Sequence, residues 1–339
     1  MKAVILVGGE GTRLRPFTYK TPKGLLPIAN LPFLDRQLTW LTSHGVDDIV
    51  LSLGYLPEAF REHLADDPTA EECRFGSARL RFRQEPEPLG TAGGIRFAAE
   101  GIDERLIVCN GDVLTDLDLR ALVGFHQASG AEATIALTRV EDPSAFGVVP
   151  TSDDGGVIAF VEKPPPGRAP TNWVNAGTYV LEPSVLERIP SRLTVSIERE
   201  TFPRMLDRPG RLFAFRSPAY WLDIGTPDKY LQAHADVLAG RLGFPPSPGA
   251  TELQPGVWVQ GAVTIAPDAR IDAPVLLGAG VTIGASARIR NAVVGADASI
   301  GAGAHLDDAV VLDGFPVEPG ASVVHAAVGI DGVLQAGPA

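Results

Sequence analysis

The sequence predicts an α/β domain on a mostly parallel sheet, joined to a second domain that is a parallel β-helix. Three observations carry this. Strand-like and helix-like segments alternate through residues 1–240, the pattern of a sheet covered by helices. Residues 241–256 are rich in Pro and Gly, with Gly243-Phe244-Pro245-Pro246-Ser247-Pro248-Gly249 at their head, and read as a linker. From 257 to 332 aliphatic residues return at six-residue intervals, the mark of stacked coils.

Ala3-Val4-Ile5-Leu6-Val7 is an uninterrupted apolar run, as expected of a buried parallel strand. Leu34, Leu38 and Leu41 share one helix face, and Gly45 suits the end of that helix. Asp48–Leu53, Arg79–Arg83, Arg105–Cys109 and Ala133–Leu137 read as further strands. Leu119, Leu122, Val123 and His126 mark another helix, capped by Asp116 or Asp118. Gly8 and Gly111 then fall at the carboxyl ends of adjacent strands, where ligands bind in open α/β sheets.

In the second domain the recurring residues are Val259, Ile265, Ile271, Leu277, Ile283 and Ile289. The count slips by one and resumes at Val294, Ile300, Leu306 and Leu312; a second slip leads to Val317 and Val323. Three six-residue segments close one turn, giving about four turns with the aliphatic residue inward.

Composition excludes several classes. With 339 residues, 45% of them hydrophobic and 21% charged, a large core is available. A net charge of −12 argues against nucleic acid or an anionic membrane as partner. Cys73 and Cys109 form no metal or redox motif. Cys109 reads as a buried strand thiol. No apolar run reaches the ~18 residues of a membrane span. The chain opens on a strand rather than a basic-apolar leader, so a cytoplasmic protein is expected.

Against this acidic background one loop is basic. Val7-Gly8-Gly9-Glu10-Gly11-Thr12-Arg13-Leu14-Arg15-Pro16 follows the first strand, and no acidic residue occurs from Gly11 to Leu34. Glycines let backbone N–H groups approach phosphate oxygens, and Arg13, Arg15, Lys20 and Lys23 add positive charge. The loop is not a P-loop, because no Lys-Ser or Lys-Thr follows the glycines. It is not a dinucleotide fingerprint either, because Leu14 stands where a third glycine is needed.

Other segments add to this. In Asn110-Gly111-Asp112, at a strand end, the carboxylate suits either a Mg²⁺ ligand or a helix cap. A second carboxylate, Asp223 in Trp221-Leu222-Asp223-Ile224-Gly225-Thr226, favours the metal. Glu162-Lys163-Pro164 ends another strand and is followed by Asn175-Ala176-Gly177-Thr178-Tyr179. Lysine there suits a phosphate, and glutamate suits sugar hydroxyls. Gln84, before Glu87-Pro88-Leu89-Gly90-Thr91-Ala92-Gly93-Gly94, has the paired donor and acceptor that a base edge needs.

The loop through Pro16, closed by Thr21-Pro22-Lys23, resembles the G-x-G-T-R-x-R-P…P-K signature of sugar-1-phosphate nucleotidylyltransferases. The six-residue repeat resembles the left-handed β-helix that many of them carry, so the likeness covers essentially the whole chain. It implies a Rossmann-like catalytic domain. Within the family, Thr21-Pro22-Lys23, the Gly90 segment and Ser196-Ile197-Glu198-x-x-Thr201-Phe202-Pro203 are most similar to mannose-1-phosphate guanylyltransferases. Gly24 departs from the pattern, which commonly has proline there.

The resemblance implies the following roles. Leu6, Gly8, Gly9, Gly11, Thr12, Arg13, Lys23, Gln84, Gly90, Thr91 and Asp112 would hold a nucleoside triphosphate. Gly147, Glu162, Lys163, Asn175 and Gly177 would hold a sugar-1-phosphate. Arg13, Lys23 and Lys163 would serve the chemistry, and Asp112 and Asp223 would bind Mg²⁺. GTP with mannose-1-phosphate is the leading pair. The alternatives are a thymidylyl or adenylyl transfer to glucose-1-phosphate or another sugar or cyclitol phosphate, and a non-catalytic regulatory subunit. A bifunctional acyltransferase using His305 or His325 is disfavoured by the short repeat. A homo-oligomer is expected, with the β-helix a scaffold whose removal alters assembly more than chemistry.

Overall fold

The computed structural model describes residues 1–207, 211–242 and 246–337. Residues 243–245 of the expected linker lie outside the described residues. By contact density the chain forms two units. Met1–Gly9 groups with Gln37–Trp221, and Glu10–Arg36 groups with the chain from Leu222 onward.

The first unit is built on a ten-stranded sheet. Its strands are β1 (Lys2–Val7), β2 (Asp48–Leu53), β3 (Glu72–Phe75), β4 (Ala78–Gln84) and β5 (Leu106–Asn110). Then come β6 (Ala133–Arg139), β7 (Gly147–Val148), β8 (Val161–Glu162), β9 (Trp173–Leu181) and β10 (Leu212–Arg216). The order is β8-β7-β9-β5-β1-β2-β4-β3, with β6 against β9 and β10. The centre, β5-β1-β2-β4, is parallel as expected. Beyond it β9 runs antiparallel to β5, which returns residues 173–177 to the edge where β5 ends.

Helix α1 (Phe33–Ser43) buries Leu34, Leu38 and Leu41 completely, and Gly45 follows it at φ +85°. In α3 (Leu119–Ser129), which comes after α2 (Gly90–Ala98), the cap is Asp118, accepting from Arg120 and Ala121 N–H. Cys109 is buried, and burial pushes its thiol up to about 12. It is an inert core residue.

The second unit contains the β-helix. Its three faces stack Ile265, Ile283, Ile300 and Val317, then Ile271, Ile289, Leu306 and Val323, then Leu277, Val294, Val311 and Val328. The inward residue of the third stack is therefore Val311, not Leu312 as the six-residue count suggests. Ala273 and Pro274 occupy one corner where later coils use a single residue, so coils of eighteen residues become coils of seventeen. Those single residues, Asn291, Asp308 and His325, all have positive φ (44°, 49° and 50°). The Asn291 amide donates to Asp308 at 2.9 Å, and His325 Nδ1 bonds the other Asp308 oxygen. His325 is thus held within the corner stack.

Outward positions next to the third stack would be polar on a solvated face. Instead they are Leu276, Val293, Val310 and Ala327, all essentially buried. Helix α4 (Pro227–Leu238) covers them, with Leu231, Ala235 and Leu238 facing Val293 and Val310. Its other partners come from the signature segment. Tyr230 donates to Pro27 O at 2.9 Å and meets Phe17 edge to face, and Ala29 N donates to His234 Nδ1 at 3.2 Å. Asn30 reaches Gln260 and Val294 O, Arg36 reaches Pro246 O, and Lys20 pairs with Asp331. The β-helix is therefore not an appended scaffold. It packs with the segment that carries Gly11, Arg13 and Lys23.

Burial, aided by Arg36, lowers the His234 pKa to about 3. An unfolded histidine takes up a proton as pH falls through about 6.5. The folded one does so only near 3, so its contribution to stability is whole above about pH 6.5 and declines below. Wild type should lose more stability than His234→Gln between pH 7 and pH 4.5, measured by urea unfolding. Parallel curves would exclude this histidine. Among the described residues no helix is long and apolar enough to cross a membrane.

Candidate active site

Seven strands of the first unit end along one edge and supply, in spatial order, most of the expected residues. From β8 come Glu162 and Lys163, from β7 Gly147, and from β9 Asn175 and Gly177. Then follow Asn110–Asp112 after β5, Leu6–Gly9 at β1, Gly54 after β2, and Gln84 at the end of β4. The expected sugar residues and nucleotide residues fall on opposite sides of β5.

Close approach explains several glycines here. A Cβ at Gly111 would lie 2.5 Å from Leu6 O, and one at Gly54 would lie 2.7 Å from Gly8 O. Adjacent strand ends are therefore drawn together. Gly177, at φ +69°, leaves room for the Asn110 side chain, 2.7 Å from where its Cβ would stand. A Cβ at Gly9 would have no atom of the described residues within 4 Å, so its surroundings are open. At Gly90 (φ +70°) the neighbour is Val195 O, 2.7 Å from the Cβ position. The side of Gly90 that a Cβ would occupy thus faces residue 195 of the protein. Val195 N donates to Leu89 O and Ala92 N to Val195 O, both at 2.9 Å.

Two acidic or amide residues brace these ends and were not anticipated. Gln37 of α1 is 4% exposed and donates to Asn110 O (2.9 Å) and Val113 O (3.1 Å), bracketing Asp112. The signal was present. Position 37 lies on the Leu34–Leu38–Leu41 face, and a polar residue on an apolar face must find partners. Glu85 accepts from Ser52 Oγ (2.9 Å) and Leu89 N (3.0 Å), and its Oε1 lies 2.7 Å from the Cβ position of Gly94. Gln84 beside it is exposed.

Lys163 has φ +46°, a strained value for a residue with a side chain. Its ammonium lies 4.0 Å from Glu162 Oε1, and the side chain is 60% exposed. Arg199 approaches the same Glu162 oxygen at 3.5 Å. Asn175 Oδ1 accepts from Gly177 N at 2.9 Å. A Cβ at Gly147 would meet the Phe160 ring at 2.6 Å and Glu162 Oε2 at 3.1 Å.

In the second unit the signature forms a tight turn. Gly11 has φ +62°, and its carbonyl accepts from Leu14 N and Thr18 Oγ1, both at 2.9 Å. Thr12–Leu14 form a 3₁₀ turn, and the Lys23 stem lies over Gly11, 3.1 Å from its Cβ position. Arg15 pairs with Glu10 at 3.0 Å. Gly24 is buried in the 3₁₀ turn Lys23–Leu25.

Arg13 lies over Gly225. A Cβ there would stand 2.7 Å from Arg13 Nη2 and 3.3 Å from Asp223 Oδ1. Gly225 was not anticipated as part of the site. The guanidinium is a flexible tip, so Gly225→Ala should displace Arg13 at little cost to the fold. We expect kcat/KM to fall by about tenfold or more with the melting temperature nearly unchanged. Full activity in a normally folded variant would show that Arg13 need not lie there.

Carboxylate oxygens are the hard donors that Mg²⁺ takes. Such sites commonly combine one or two carboxylates with substrate phosphates and water. Among the described residues no group of three or more His, Cys, Asp or Glu side chains is placed to hold a metal ion by itself. Asp112 sits on the turn braced by Gln37, beside a buried Asn110 Oδ1 that has no hydrogen-bond partner among the described residues. This donor set fits a cation that completes its shell with phosphate oxygens.

The parallel strand edge of the first unit and the Gly-rich basic turn of the second are each of the kind a transferase carries. The chain belongs to the nucleotidyl transferase family, which residues 2–240 match. A mannose-1-phosphate guanylyltransferase of Mycobacterium tuberculosis is 38% identical over 297 residues, covering 86% of this chain and 79% of that one. Mannose-1-phosphate guanylyltransferase 1 of Arabidopsis thaliana is 39% identical over 301 residues, with the same coverage. Among solved structures, HddC from Yersinia pseudotuberculosis superposes with a TM-score of 0.58 at 32% identity, over 69% of this chain and 97% of that chain.

Proposed function

We propose that the chain transfers a guanylyl group from GTP to mannose-1-phosphate, giving GDP-mannose and pyrophosphate. The observation that carries this is the strand edge, with nucleotide-type residues on one side of Asp112 and sugar-type residues on the other. Relatives about 38–40% identical over most of the chain, all mannose-1-phosphate guanylyltransferases, support the choice of pair.

In this reading a sugar-phosphate oxygen attacks the α-phosphorus in line and pyrophosphate departs. The nucleophile is already an anion, so the protein needs alignment and charge neutralisation rather than a strong base. The amides of Gly8, Gly9 and Gly11, with Thr12, Arg13 and Lys23, hold the triphosphate, and Arg13 and Lys23 take up charge developing on the leaving group. Lys163 holds the sugar phosphate. Glu162, Asn175 and the Gly147 and Gly177 backbone orient the sugar, while Leu6, Gln84, Gly90 and Thr91 contact the nucleoside. Asp112 and Asp223 would hold Mg²⁺, which when bound supplies charge neutralisation at the phosphates.

A matrix of GTP, dTTP, UTP and ATP against mannose-, glucose- and other sugar-1-phosphates, read by pyrophosphate release, tests this. GTP with mannose-1-phosphate should give the highest kcat/KM, by at least about tenfold over other bases, since placed donors and acceptors reject a wrong base strongly. A higher value for dTTP or ATP across several sugars would overturn the base assignment.

A further inference from the structure

Glu198 belongs to none of the roles above, yet three side chains converge on it. Thr91 Oγ1 and Ser196 Oγ donate to its Oε2, both at 2.9 Å, and Tyr179 OH donates to its Oε1 at 3.4 Å. Tyr179 is wholly buried and accepts from the Asn175 amide at 2.8 Å. Burial and the Glu198 charge hold its phenol well above the usual range, so it remains a donor. Thr91 Oγ1 in turn accepts from Ile197 N at 2.8 Å.

The chain is therefore Thr91–Glu198–Tyr179–Asn175. One end is a nucleotide residue in the first turn of α2 and the other is a sugar residue on β9. Glu198 lies in a π-helical turn, Ile197–Thr201, a rare form that recurs at functional sites. The same turn aims Arg199 at Glu162. Hydrogen bonds to an ionised acceptor are stronger than neutral ones, and networks of this kind hold their members in one arrangement.

We propose that Glu198 is a positioning residue that sets the start of α2 and the sugar-binding Asn175 in register, acting through Thr91 on one side and Tyr179 on the other. This rests on the substrate reading given above. Glu198 does not touch the reacting atoms.

Three variants of the full chain test it, with KM measured for GTP and for mannose-1-phosphate. Tyr179→Phe removes the hydroxyl that joins Glu198 to Asn175 and leaves the Thr91–Glu198 bond in place. It should raise the sugar-phosphate KM about fivefold or more and leave the GTP KM within about twofold. Glu198→Ala should raise both KM values, each by about fivefold or more. Glu198→Gln keeps an acceptor for Thr91 and Ser196 and should recover most of the GTP KM. Equal shifts in both KM values for Tyr179→Phe, or none, overturn the proposal. So does a fall in kcat with unchanged KM values in Glu198→Gln, which would place the carboxylate in the reaction itself. If Glu198→Ala does not fold, the near-isosteric Tyr179→Phe still decides. A wild-type chain inactive with every triphosphate and sugar phosphate would instead reject the substrate reading.

Discussion

A chain ended after Gly249 is expected to lose catalysis, by about 10²-fold or more in kcat/KM, as well as solubility. Helix α4 covers Val293 and Val310 with Leu231 and Leu238, and removing the β-helix exposes both leucines. Each costs roughly 1.5–3 kcal/mol, a large part of an ordinary domain's about 5–15 kcal/mol. The same helix fixes the signature segment through Tyr230 on Pro27 O and His234 on Ala29 N. The truncation also removes the contacts of Asn30 and Lys20 with Gln260 and Asp331. A misplacement of about 1 Å in a positioning group can cost 10² in rate. Activity, sedimentation and thermal unfolding of the truncated chain check this. A folded truncation with full activity would show that the signature holds its shape unaided, and would restore the view of the β-helix as a detachable scaffold.

Asp112→Asn and Asp223→Asn should each lower kcat by about 10²-fold or more, because a neutral amide is a poor ligand for a hard cation. The fold should survive both changes. Asparagine is nearly isosteric, Gln37 holds the Asp112 turn through Asn110 O and Val113 O, and Asp223 ends a short strand. Initial rates across a Mg²⁺ series, with Mn²⁺ binding followed by electron paramagnetic resonance, separate metal loss from misfolding. Near-normal turnover at saturating Mg²⁺ would remove that residue from the metal-binding assignment.

Much of the fold was legible because it depends on local pattern. A continuous apolar run fixed β1, the leucines of α1 fixed its buried face, and the repeat set the stacking of Ile265, Ile283 and Ile300. Where the count failed, at Leu312, the cause is a corner. One residue at positive φ, such as Asp308, replaces the Ala273-Pro274 pair and shortens the coil. The pattern registers the aliphatic period but not which corner loses a residue. The doublets Leu276-Leu277, Val293-Val294 and Val310-Val311 also held a readable signal. Two adjacent aliphatics on a strand point to opposite faces, so the outer face had to be covered.

By itself, then, the sequence determined the strand-end loops, the basic glycine turn and the coil repeat, since each rests on residues close together in the chain. Only the tertiary structure decided what braces them. Gln37 lies far along the chain from Asn110, Gly225 from Arg13, and Glu198 from Thr91. Each of these meetings is set by packing between distant segments, where a buried polar group must find a partner or a missing Cβ must leave room. No local period encodes that choice.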